Sequence, residues 1–95
     1  MTIGKVVGTC VATVKDPKLE GLKMLLVQPV SPKGESQGNL VVAIDSVGAG
    51  LHETILFASG SSARQTEVTN NKPVDAVIMA IVDNLVVNDE VVFSK

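Results

Sequence analysis

The chain is poor in the residues that most binding and catalytic chemistry needs. It has no Trp and no Tyr, and its aromatic side chains are Phe57 and Phe93 alone. That excludes a stacking platform for bases or sugars. It has one cysteine, Cys10, so no disulfide can form within the chain, and one histidine, His52. One of each cannot assemble a Cys/His zinc site in a single chain. Charged residues make up 19%, against an average near 25%, and the balance is slightly acidic, 8 Lys plus Arg against 10 Asp plus Glu. A net charge of −2 gives no basic footprint for nucleic acid. The apolar runs fall short of the ~18–20 residues that cross a bilayer, and no basic segment precedes an apolar one at the N-terminus in the manner of a signal peptide.

What is abundant is β-branched apolar sequence. Hydrophobic residues reach 45% of the 95, enough for one globular domain over 1–95. A chain of this size buries only about 60–65% of its unfolded surface, so contacts with other subunits would add to its stability.

Ile3 to Val14 reads as a long first strand, with Gly4, Val6, Gly8, Cys10, Ala12 and Val14 on its small, apolar face. A face of that kind suits close approach of another backbone. Cys10 is expected in the core there. Lys15-Asp16-Pro17-Lys18 ends the strand. Lys23–Val30, Leu40–Asp45 and Thr54–Ala58 are the next strands, with a polar loop at Ser31–Asn39 and a glycine turn at Val47-Gly48-Ala49-Gly50. Ser59–Arg64 reads as a loop or one helical turn. Pro73–Val87 fits an amphipathic helix by spacing and a doubly buried strand by its β-branched composition. Asn88-Asp89 is a turn that returns Val91–Ser94 as a hairpin. The sum is an all-β domain, a small barrel.

The chemical motifs are near misses. Gly48-Ala49-Gly50 lacks the third glycine of a dinucleotide loop, and a strand follows where a helix is needed. His52-Glu53 is not H-E-x-x-H, because Leu56 holds the second histidine's place. Gly60-Ser61-Ser62-Ala63-Arg64 is not a nucleophile elbow, since Arg64 replaces the final glycine. Its hydroxyls, amides and guanidinium suit either an anion or the carbonyls and carboxylates of a neighbouring chain. Asp45, Asp75 and Asp83 flank apolar strands, where aspartate closes turns. No catalytic, cofactor or metal constellation emerges.

Taken together, four segments resemble the EutN/CcmL family of bacterial microcompartment vertex proteins: Gly4–Gln28, Val41–Thr54, Gly60–Gln65 and Pro73–Leu85. Where many members carry a second glycine after Gly50, this chain has His52, followed by the matching Glu53. The resemblance implies an OB-like barrel with one short helical turn, assembled as a cyclic homopentamer. It also implies a strand through much of Ala76–Leu85. The implied role is structural: pentamers cap the corners of a polyhedral shell in the bacterial cytoplasm, beside hexameric or pseudohexameric tiles, with no enzyme activity and no cofactor. Neither nucleic acid nor membrane is an expected partner. Val47, Gly48, Ala49, Gly50, Gly60, Ser61, Ser62 and Arg64 are the expected subunit-contact or five-fold-axis residues. Two rival readings remain: an OB-like module for single-stranded nucleic acid, and a small hydrolase using Ser61 or Ser62 with His52. The first lacks aromatics and cations, the second a plausible base beyond one histidine.

Overall fold

The computed structural model of the chain describes residues 1–13, 15–60 and 75–95. Five strands close a barrel in the order β1-β2-β3-β5-β4: β1 (Thr2–Cys10), β2 (Met24–Pro29), β3 (Val41–Asp45), β4 (Thr54–Ser59) and β5 (Ala76–Ile81). Neighbours run antiparallel except β3 and β5, which pair in parallel through Ile44↔Val77 and Asp45↔Ile78. A 3-10 turn at Pro17–Leu19 is capped by Asp16, whose carboxylate accepts from Lys18 N at 2.9 Å. The loop or helical turn expected at Ser59–Arg64 lies outside the described residues beyond Gly60. A separate hairpin of β6 (Asn84–Val87) and β7 (Glu90–Ser94) completes the chain. Its two-residue turn holds Asn88 and Asp89 at φ 51° and 62°, the left-handed pair that matches strand twist.

Alternation explains the barrel interior. Val6, Leu25, Val27, Ala43, Ile55, Phe57 and Ile78 point inward with at most 4% exposure. Ile44, Ala58 and Val77 form a second buried cluster, covered by Leu19, Leu22, Met24 and Met79. Ala76, Val77 and Ile78 are therefore buried in succession, which only a strand with two covered faces allows. That burial resolves the ambiguous Pro73–Val87 segment, whose described part is a strand to Ile81, a bend, and β6.

The first strand departs from its expected alternation. A bulge at Val7 shifts the register between Val6↔Val27 and Gly8↔Leu26. One extra residue exchanges the faces of everything after it. Thr9 then pairs with Leu25 and Cys10 with Met24. Cys10 is thus half-buried beside the outer cluster, not in the core. The strand stops at Cys10, and Val11 is 95% exposed. At Gly4 the missing side chain makes room first for two side chains and then for a backbone carbonyl, that of Gln28 at 3.3 Å. A Cβ there would stand 2.5 Å from Val27 Cγ1 and 3.1 Å from Phe57 Cε1.

Candidate functional site

The turn from Asp45 to Glu53 is the most tightly built of the described loops. Asp45 ends β3, and its Oδ1 accepts from the amides of Val47, Gly48 and Ala49 at 3.1, 3.0 and 3.2 Å. Those amides converge because Gly48 takes φ 79°, a conformation that costs a side-chain-bearing residue about 1–2 kcal/mol. The other oxygen lies 3.9 Å from Lys23 Nζ, and the Asp45 side chain is only 3% exposed. Ser46 Oγ donates to the Ile78 carbonyl at 2.5 Å and fastens the turn to β5.

The second half is held from the other side. Glu53 Oε1 accepts from Gly50 N at 2.6 Å, and Oε2 meets Lys95 Nζ at 3.2 Å. The Gly50 amide first, and Lys95 second, hold the Glu53 carboxyl below its ordinary value. His52 N donates to Val6 O at 2.8 Å, and Val6 N donates to Glu53 O at 3.0 Å, so the turn is stitched into β1. His52 reaches that geometry at φ 71°, in the left-handed region. Glycine is the cheapest residue there. The backbone thus keeps the form that glycine would favour while carrying an imidazole.

The expected contact residues fall into three groups. Val47 and Gly48 are exposed on the turn, Gly50 is half-buried, and Ala49 packs into its own barrel at 1% exposure. Gly60 follows β4 at φ 65°, and its amide donates to the Asp75 carbonyl at 2.9 Å. Ser61, Ser62 and Arg64 lie outside the described residues. His52 is exposed, and among the described residues no three His, Cys, Asp or Glu side chains come together as a metal site. Asp45 serves the turn that follows it, as its position at a strand end foretold.

Two features escaped the sequence reading. One is the tie from Glu53 to Gly50 and Lys95, which joins residues 42 positions apart and leaves no local signature. The other is the position of the bare apolar surface. Val7, Leu40, Val42, Val47, Leu51, Val86, Val87 and Val91 are 39–61% exposed on a chain poor in charge. A surface of that kind marks contacts with other proteins. The signal was present in the unbroken apolar pairs Val86-Val87 and Val91-Val92.

Comparison with known proteins points the same way. Residues 1–83 match the family model described as ethanolamine utilisation protein EutN/carboxysome. The carboxysome shell vertex protein CcmL of Nostoc sp. is 47% identical over 96 residues, covering 100% of this chain and 95% of its own. Its solved structure superposes with a TM-score of 0.94 over 100% of both chains. The microcompartment shell vertex protein EutN of Escherichia coli is 41% identical over 100% of both chains. A pentameric shell protein of Rhodospirillum rubrum, GrpN, superposes at TM-score 0.78 with 41% identity over 87% of this chain and 94% of its own. A five-stranded closed barrel, a surface rich in apolar side chains and end-to-end likeness to shell proteins lead to one conclusion: the chain belongs to the EutN/CcmL family of bacterial microcompartment shell vertex proteins, a structural family and not an enzymatic one.

Proposed function

We propose that the whole chain, residues 1–95, acts as one shell unit, five copies of which close a ring that caps the vertices of a microcompartment in the bacterial cytoplasm. The observation that carries this is the full-length likeness, in sequence and backbone, to shell vertex proteins of two kinds of compartment. The physics supports it. A rotational ring joins two different patches of the same subunit. A small barrel with several large exposed aliphatic side chains gains burial that it cannot gain alone. Hexagonal tiles form flat sheets, and five-fold units allow such sheets to close, so the outer rim of the ring meets hexameric or pseudohexameric shell proteins.

Within the ring, Val47, Gly48, Ala49 and Gly50, together with Gly60, Ser61, Ser62 and Arg64, form subunit contacts or surround the five-fold axis. Ala49 takes part through its main chain, since its side chain fills its own barrel. The rigid Asp45-anchored turn suits such a role, because a pre-ordered loop loses little entropy on association. Arg64 bridges neighbours. Native mass measurement tests both levels. The wild-type protein should be a pentamer, and Arg64→Ala should dissociate at higher concentration than wild type. An unchanged ring removes the role of Arg64. Mixing with a hexameric shell protein should convert open sheets or tubes to closed shells under the electron microscope, and sheets that stay open would contradict vertex capping.

A further inference from the structure

The β6–β7 hairpin is apolar on both faces. Leu85 pairs with Phe93 and Val86 pairs with Val91. Leu85 and Val86 are adjacent on β6 and point to opposite sides, and on β7 the extra residue Val92 shifts the register so that Val91 rather than Val92 is paired with Val86. Phe93 turns toward its own barrel, where it lines a small recess with Leu51, Thr54 and Val82. Val86 and Val91 are 56% and 61% exposed, and Val87 beside the turn is 41% exposed. A lone two-stranded ribbon is marginal in water, and this one covers a single face.

The same chain carries a second bare patch, on the outside of β1–β3. Gly8, Leu26 and Val42 stand side by side across three strands, with Val42 48% exposed. Leu40 and Val7, at 54% and 42%, extend the patch. Charge complements the two. The hairpin and its lead-in hold Asp83, Asp89 and Glu90, while their one cation, Lys95, is held by Glu53. On the outer barrel face Lys5 is exposed and, among the described residues, makes no ion pair.

We propose that the hairpin is an arm by which one copy grips the next: Val86 and Val91 cover the Leu26–Val42 patch of the neighbouring subunit, and Glu90 approaches its Lys5. The occupant of the bare face is a second copy of this chain. This rests on the ring proposed above, and it supplies that ring with two unlike patches on one subunit, as rotational closure demands. It also accounts for a ribbon that is apolar on the side turned away from its own barrel.

The test replaces both exposed valines by threonine, V86T with V91T. Threonine keeps β-branching and strand propensity, so the hairpin still forms while its outer face turns polar. Analytical ultracentrifugation over a dilution series should show the ring half-dissociated at a concentration at least tenfold above wild type. V11T, an equal change at a residue 95% exposed elsewhere, should leave it unmoved. A second pair needs no apolar change: E90K should weaken the ring, and K5E added to E90K should restore it. A V86T/V91T ring identical to wild type overturns the arm while leaving the pentamer intact. If that variant then fails to join hexameric tiles, the patch belongs to the tiles instead. Absence of rescue by K5E overturns the assigned acceptor. A wild-type protein that is monomeric at every concentration removes both the ring and the arm.

Discussion

Replacing Asp45 by alanine isolates what the turn owes to one side chain. The substitution withdraws the acceptor of three amides, at 3.0–3.2 Å. Two of these amides, those of Val47 and Gly48, can find water instead, and each such loss costs about 0.5–1 kcal/mol. The third, at Ala49, is partly buried beside a side chain of 1% exposure, and leaving it unmet costs about 1–3 kcal/mol. The Lys23 pair adds little, because it spans 3.9 Å and the lysine is 59% exposed. Asp45→Ala should therefore lose about 2–5 kcal/mol. Asp45→Asn keeps one oxygen in place and should lose about half as much. Asp83→Ala, at an exposed strand end, should stay within about 0.5 kcal/mol of wild type. Urea unfolding at one fixed protein concentration reads all three, since assembly couples stability to concentration. An Asp45→Ala curve indistinguishable from that of Asp83→Ala would refute the reasoning, because the amides would then need no carboxylate.

Gly4→Ala should destabilise by about 1–3 kcal/mol in the same assay, although alanine normally favours a strand over glycine, because the new methyl would stand 2.5 Å from Val27 Cγ1. Combining it with Val27→Ala should recover most of that penalty relative to Val27→Ala alone. His52→Gly should stabilise by about 0.5–1 kcal/mol, since it relieves a left-handed φ of 71° at an exposed side chain; a destabilised variant would mean that the imidazole makes a contact of its own. Glu53, with a folded pKa below its unfolded one, binds its proton more weakly when folded. Its contribution is full above the ordinary glutamate range and is lost as pH falls through the lowered value. Unfolding followed between neutral and acid pH should slope less steeply in Glu53→Gln than in wild type.

Much of the barrel was legible because burial leaves a local trace. The apolar cores of β2, β3 and β4 stood out, and Asn88-Asp89 announced a hairpin turn whose two left-handed residues are now visible. Asp45 after a strand implied a closed turn, and its carboxylate closes one. Three things were not legible. The bulge at Val7 has no composition signature, so the outer position of Cys10 depended on a register that only the partner strand fixes. The doubly apolar Ala76–Ile81 could not be told from a helix by its own residues; the family resemblance alone favoured a strand, and the second cluster that covers it supplies the physical reason. Within the turn, both glycines suggested unusual backbone angles, yet Gly48 and His52 adopt them and Gly50 does not. Which residue takes a left-handed φ was set by the reach of the Asp45 and Glu53 carboxylates, not by glycine content.

Everything said of function depends on self-association with five-fold symmetry. Native mass spectrometry of the purified protein, diluted through its working range, is the direct test. A dominant species of about 50 kDa, five times the 9.9 kDa chain, is the expected result. A spectrum holding only the single chain, or a ring of any other order, would contradict the account.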